Sequence, residues 1–137
     1  MTPQQIDAVK SSWLMVLPIA DQAAEIFYNR LFEVAPEVKP MFKGDIKEQG
    51  KKLMQVINTA VTALDNLDPL IPTVQELAIR HVDYGVKNEH YDVVGSTLLW
   101  TLEQGLREAF TPDVKNAWTE TYVTLSSVMK EAASGTK

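Results

Sequence analysis

Cysteine is absent from this sequence, and histidine occurs only twice. Without a thiol there is no cysteine nucleophile, no iron–sulfur centre, no cysteine zinc site and no disulfide, and the redox compartment is left undecided. His81 and His90 are too few for a zinc site built on three imidazoles. Basic residues are also in deficit, with 13 Lys and Arg against 18 Asp and Glu and a net charge of −5. No basic stripe is available for a phosphate backbone or an anionic lipid surface, so nucleic acid and membrane surfaces are not expected partners. No apolar run is long enough for a membrane span. The first residues, MTPQQIDAVK, are polar and acidic where a secretory signal needs a basic start and an apolar stretch. A cytoplasmic location is the resulting expectation. Glycine-rich phosphate loops, internal repeats and linkers are missing too, and Ser11-Ser12 and Ser126-Ser127 make no nucleophile–base pairing with either histidine.

What is present is one helical pattern after another. With 137 residues, 45% of them hydrophobic, the chain reads as a single domain over residues 1–137, ending in a short polar tail at 134–137. A chain of this size buries roughly two-thirds of its unfolded surface, enough for a core and a ligand cavity without disulfides.

Thr2, Pro3 and Gln5 form a helix start with a capping box. Ile6, Val9, Trp13 and Val16 make the buried face of that helix, which Pro18 interrupts near Leu17. A second helix, about 21–34, turns Ala24, Phe27, Tyr28, Leu31 and Phe32 inward, and Ala35-Pro36 turns a corner. After Met41-Phe42 and the polar loop Lys43-Gly44-Asp45, a helix over about 46–64 aligns Gln49, Leu53, Val56, Ala60 and Leu64. Thr73 with Glu76 predicts a second capping box, opening a helix through about Val82 that Gly85 ends. A long helix over about 91–110 aligns Tyr91, Val94, Leu98, Leu102 and Leu106. Thr111-Pro112 opens the last helix, with Val114, Trp118, Tyr122, Leu125, Val128 and Met129 facing inward. The fold class is all-α, with six to eight helices.

Three places in this pattern carry chemistry. His81 falls on an apolar helical face, one turn beyond Leu77. Such a residue is either a core histidine with both nitrogens satisfied or a ligand to an iron whose other positions a porphyrin fills. Tyr28 and Gln49 lie on inward faces of different helices, where an unsatisfied hydroxyl or amide costs about 1–3 kcal/mol. They either bond each other or a backbone carbonyl, or they form a donor pair aimed into an apolar cavity. Lys51 and Lys52 read as a solvated face, although Lys52 is one turn from Gln49 and near enough to pair with a carboxylate of a bound group.

The segments Phe27-Tyr28-x3-Phe32, Pro36-Glu37-Val38-x-Pro40-x-Phe42, Gln49-x3-Leu53, His81-x3-Gly85-Val86, His90-Tyr91-x2-Val94-Gly95 and Ala117-Trp118-x3-Tyr122 occur in an order and spacing that together are specific. By them the chain resembles the globins, in particular the bacterial single-domain haemoglobin-like globins and the globin domains of flavohaemoglobins, over nearly its whole length. The loop after Phe42 is shorter than in the flavohaemoglobin pattern. The resemblance implies the globin fold around a haem b pocket. It implies His81 as the proximal iron ligand, and Phe42, Leu53, Leu77, Val86, Tyr91, Val94 and Leu98 as haem contacts, with Lys52 near a propionate. Tyr28, Gln49 and Leu53 fall at the positions facing bound dioxygen, and Tyr91 stands behind the proximal imidazole.

That likeness implies reversible, tight binding of dioxygen and other diatomic ligands, in a carrier, scavenger or store. A second implied activity is nitric oxide dioxygenation, in which Tyr28 and Gln49 would serve catalysis. No segment here resembles the flavin- and nicotinamide-binding reductase of the flavohaemoglobins, so a separate reductase is the expected electron donor. A sensor or a haem-free helical interaction module is a weaker alternative. The pattern also departs from the flavohaemoglobins at one site, because their glutamate behind the proximal histidine falls here on Ala133. Glu131 lies two residues away, about 200° round the helix, so a weaker electron push on the imidazole is expected.

Overall fold

The computed structural model describes residues 2–42, 44–83 and 87–134. Among them are six α-helices: α1 (Pro3–Val16), α2 (Ala20–Val34), α3 (Ile46–Thr62), α4 (Ile71–Asp83), α5 (Asn88–Leu106) and α6 (Pro112–Ser134). No strand occurs among the described residues. Among the described residues, 3-10 turns lie between helices at Leu17–Ile19, Pro36–Met41, Asp68–Leu70 and Arg107–Ala109.

The start of α1 forms as its residues require. The Gln5 amide N–H donates to Thr2 Oγ1 at 3.1 Å, and the Thr2 N–H donates to Gln5 Oε1 at 2.9 Å. Pro18 does not open a loop. It sits in the first turn of a 3-10 segment that passes directly into α2, so the chain bends without leaving helical geometry. Asp45 caps α3 by accepting from the Lys47 N–H at 2.9 Å.

Two starts differ from the sequence expectation. α4 begins at Ile71, so Thr73 lies inside the helix and its capping box with Glu76 does not form. The preceding 3-10 turn accounts for this, because the Leu67 carbonyl accepts from the Leu70 and Ile71 N–H groups at 2.8 and 3.1 Å. The first donors are thereby satisfied without a side-chain cap, and Pro72 has no N–H to satisfy. Glu76 instead pairs with Arg80, at 3.0 Å. α5 begins at Asn88, three residues earlier than Tyr91, because His90 Nδ1 accepts the Lys87 N–H at 2.9 Å.

The core gathers Val9, Trp13 and Val16 of α1, Phe27, Tyr28 and Leu31 of α2, Met54 and Val61 of α3, Leu98, Leu102 and Leu106 of α5, and Ala117 and Trp118 of α6. α1 packs on α6, α2 on α3 and α5, and α4 on α6. Two glycines permit the closest crossings. A Cβ on Gly50 would come within 2.9 Å of Ala24 Cβ where α3 crosses α2. A Cβ on Gly95 would come within 2.6 Å of the Tyr122 ring where α5 crosses α6. These crossings hold α3 on one side of a gap and α4, α5 and α6 on the other.

Candidate functional site

The gap is a cavity of about 430 Å³ lined mainly by apolar side chains of α2 through α6. This volume lies within the range of pockets that hold small cofactors, about 300–1,000 Å³. Two faces of α3 divide the labour. Gly50 and Met54 are buried away from the cavity, Gln49, Leu53, Val56 and Ile57 line it, and Ala60 and Val61 are buried and line it as well. Val56 is 46% exposed although it lines the cavity wall, so apolar surface is left for a ligand to cover.

Of the residues expected at the site, Phe42, Gln49, Leu53, Leu77, His81, Tyr91, Val94 and Leu98 all line this one cavity. Val86 lies outside the described residues. Lys52 is exposed and is not brought to the lining. Tyr28 is buried but stands behind the wall. Its hydroxyl donates to the Gln49 main-chain carbonyl at 3.5 Å, the outer limit of a hydrogen bond. The Tyr28 ring packs against Phe27, Phe32 and Phe42, meeting Phe42 edge-on at 5.3 Å and 74°. Sequence reasoning missed the contribution of α6, from which Trp118, Thr121, Tyr122, Leu125, Ser126 and Met129 reach the lining. Trp118 and Tyr122 were visible as inward-facing residues, but nothing in their spacing set them opposite α3.

The two histidines line the same cavity in opposite tautomers. His81 Nδ1 is 2.8 Å from the Leu77 carbonyl, which only accepts, so Nδ1 carries the proton and the neutral ring places its lone pair on Nε2. His90 Nδ1 accepts from the Lys87 N–H, which only donates, so its proton is on Nε2. Burial lowers the pKa of His81 from its ordinary value and so favours the neutral imidazole, and the bond to the Leu77 carbonyl opposes this only in part. An imidazole that donates its far N–H to a backbone carbonyl is the arrangement metal-binding histidines use to fix orientation. No group of three or more His, Cys, Asp or Glu that could hold a bare metal ion occurs among the described residues. One imidazole suffices where a porphyrin supplies the equatorial ligands, and the apolar walls suit a porphyrin's faces. The residues present therefore fit a haem.

Behind His81 stands Tyr91, its ring 6.3 Å away and tilted by 22°. The Tyr91 hydroxyl is buried with no hydrogen-bond partner among the described residues.

The family model described as Globin matches residues 25–129. The chain belongs to the globin family. This globin is 31% identical over 131 residues to a flavohemoprotein of Vibrio cholerae, covering 93% of this chain and 33% of the relative. It is 34% identical over 131 residues to a flavohemoprotein of Rhodopirellula baltica, covering 93% of this chain and 32% of the relative. It thus spans about a third of the length of these curated relatives. Among solved structures, a bacterial globin from Campylobacter jejuni superposes with a TM-score of 0.86 at 29% identity, covering 98% of this chain and 97% of that one. The fold is the globin fold, and membership of the family implies a haem cofactor and binding of diatomic ligands. Among the described residues, no helix of this globin is long and apolar enough to cross a membrane.

The buried tyrosines carry a pH prediction. Burial pushes the Tyr28 hydroxyl up to about 12, and raises Tyr91 and Tyr122 as well. Between the unfolded value near 10 and these raised values, the unfolded chain has lost protons that the folded chain retains, so stability falls as pH rises. Tyr28 alone contributes a loss of roughly 3 kcal/mol across that window, at about 1.4 kcal/mol per pKa unit. Tyrosinate absorbance and helical circular dichroism are expected to change together above pH 10. The sequence holds four tyrosines, so more than one equivalent of tyrosinate appearing well before loss of helix would show that these hydroxyls are not held in the protonated form.

Proposed function

We propose that this globin binds dioxygen reversibly at haem b held by His81, as a carrier, scavenger or store. The observation that carries this reading is the His81 imidazole, oriented by its Nδ1–H bond to Leu77 and lining the same apolar cavity as Gln49. Haem supplies a ferrous iron at which dioxygen binds and leaves. The chain's own residues set how firmly. Phe42, Leu53, Leu77, Val94 and Leu98, which line the cavity, would exclude water from the porphyrin faces, and Lys52, exposed outside the lining, would have to reach over the rim to pair with a propionate.

Dioxygen gains partial negative charge on binding and carbon monoxide hardly any, so a nearby donor favours the first. Gln49 offers its amide from the cavity wall. The Tyr28 hydroxyl sits behind it, held only by a long bond to the Gln49 carbonyl, and its proton can rotate about the C–O bond toward a better acceptor. Because burial lifts its pKa to about 12, Tyr28 remains a donor at any ordinary pH. A hydrogen bond to a charged acceptor contributes about 1.5–3 kcal/mol, which is roughly a tenfold to hundredfold slowing of release. Tyr28→Phe is therefore expected to release oxygen about ten to a hundred times faster in stopped-flow measurements. An unchanged release rate would remove Tyr28 from the site.

The likeness to flavohemoproteins favours a second reading, nitric oxide dioxygenation supported by a separate reductase. The Tyr91 hydroxyl tells against it, since without a carboxylate partner it adds little electron density to His81. Many turnovers of nitric oxide to nitrate with a protein electron donor would establish the enzyme. A single stoichiometric reaction would leave the oxygen-binding reading standing.

A further inference from the structure

The basic side chains of this globin are unevenly spread. From Glu37 to Lys52 the sequence holds five lysines against three carboxylates, in a chain of net charge −5. Lys39, on the 3-10 turn Pro36–Met41, and Lys47, Lys51 and Lys52, on α3, are all exposed. None of these four has a carboxylate within ion-pair distance among the described residues, whereas Lys10, Arg30, Arg80 and Lys130 are each paired. Lys87, Arg107 and Lys115, the other described cations outside ion pairs, are scattered before α5, after α5 and in α6. Lys47 and Lys51 are four residues apart, so they share one stripe of α3, and Lys52 adjoins it. Asp45 is already engaged at the helix start, where its side chain accepts the Lys47 N–H.

The elements that carry these lysines also carry the cavity wall. Met41 and Phe42 line it at the end of the turn, and Gln49, Leu53 and Val56 line it from α3. A partner resting on the lysines is therefore one helix away from the cavity, about 10–12 Å, a gap that an electron crosses by tunnelling. Ferric iron does not bind dioxygen, so a globin whose iron has been oxidised needs one electron back before it binds again.

We infer that this lysine face is the docking site of an acidic one-electron donor protein, which returns the iron to the ferrous state across α3. The inference rests on the haem reading given above and names a partner for that site. One electron leaves the donor's reduced iron–sulfur or flavin centre and one ferric iron becomes ferrous; a flavin donor also releases a proton to solvent. The overall charge of the chain repels an acidic protein, but at 0.1 M salt exposed charges more than about 10 Å away are largely screened. Within that distance the surplus of lysines sets the sign, so an acidic partner is turned away elsewhere and held here. Asp45 and Glu48 interrupt the row, which suits the separate carboxylates of a protein surface better than a continuous phosphate backbone. Electron-transfer complexes bury little surface, under about 1,200 Å², so charge governs how fast they form.

The probe for the test is a reduced plant-type [2Fe–2S] ferredoxin, an acidic and strongly reducing protein. It is mixed with the haem-loaded ferric globin in a stopped-flow instrument under carbon monoxide, which marks the ferrous form. The second-order rate should fall as salt is raised. A Lys47→Glu/Lys51→Glu double variant should be slower by roughly tenfold at low salt and should converge on the parent at high salt. Lys115→Glu should stay close to the parent. A neutral small reductant, photoreduced deazariboflavin, should reduce parent and double variant equally. Independently, carbodiimide coupling and peptide mapping should join ferredoxin carboxylates to lysines within 39–52. Equal ferredoxin rates for parent and double variant, or coupling mainly at Lys87 or Lys115, would overturn the docking site and leave the haem reading intact. Retention on phosphatidylglycerol vesicles that the double variant loses, with ferredoxin rates unaffected, would assign the face to a membrane and overturn it too. Failure to take up haem shows in the Soret band before mixing, and overturns both.

Discussion

His81→Ala is expected to leave this globin without stably bound haem. The expectation follows from the tautomers of its two histidines. Both line the cavity, but only His81 has its proton tied at Nδ1, by the Leu77 carbonyl, so only its Nε2 presents a lone pair. His90 cannot take over without giving up the Lys87 N–H that it accepts at the start of α5. With the imidazole removed, the apolar walls still attract a porphyrin, yet no protein ligand restrains its iron, and the haem should wash out on gel filtration. Added imidazole should restore a six-coordinate spectrum in the variant, because the cavity that held the side chain remains. His90→Ala should keep its haem and lose helicity at the start of α5 instead. A His81→Ala protein with the parent's Soret band and haem content would show that another group holds the iron.

Gly95→Ala should destabilise the protein, although alanine is the better helix former. In a helix the exchange gains about 0.5–1 kcal/mol from propensity alone. Against this, the new methyl would stand 2.6 and 2.8 Å from two Tyr122 ring carbons, closer than nonbonded carbons approach. The ring cannot swing aside freely, since its hydroxyl is hydrogen-bonded to the Tyr91 carbonyl on the same helix as Gly95. Forced separation of helices in a packed core costs about 1–3 kcal/mol, so the clash outweighs the gain. α5 also carries Tyr91, Val94 and Leu98, so the same displacement moves one wall of the cavity. Faster haem loss should accompany the lowered denaturation midpoint. Gly105→Ala is the control, because its methyl meets only the end of the Ile19 side chain, at 3.3 Å. Equal effects at both glycines would mean that the α5–α6 crossing is looser than described.

Much of this was legible in the sequence, and where it was not, the cause is specific. Thr2, Pro3 and Gln5 announced α1 because a capping box involves neighbours only. The inward faces of α1, α2 and α5 followed from spacing, because each helix buries one stripe. Thr73 misled because a preceding 3-10 turn satisfied the helix start first, and such a turn leaves little mark beyond Asp68-Pro69. Gln49, Leu53, Val56, Ala60 and Leu64 read as one inward face, and Ala60 and Leu64 are buried, but Gln49, Leu53 and Val56 border the cavity and are not fully buried. Periodicity finds a stripe without saying what lies opposite. Tyr28 shows the same gap. Its inward position could be read, but not that its hydroxyl would reach the carbonyl of Gln49 from behind the wall.

By itself the sequence determined the helical class, the capping box of α1, and His81 on an apolar face one turn after Leu77. These are local properties, set by neighbours within one or two turns, and the bond from His81 Nδ1 to the Leu77 carbonyl is among them. Tertiary structure alone decided that α6 completes the cavity, that Gly95 must lack a side chain, that the Tyr91 hydroxyl finds no hydrogen-bond partner among the described residues, and that Trp13 stands behind Trp118. Each of these depends on the angle and distance at which helices far apart in the chain cross, and no spacing within a single helix contains that information.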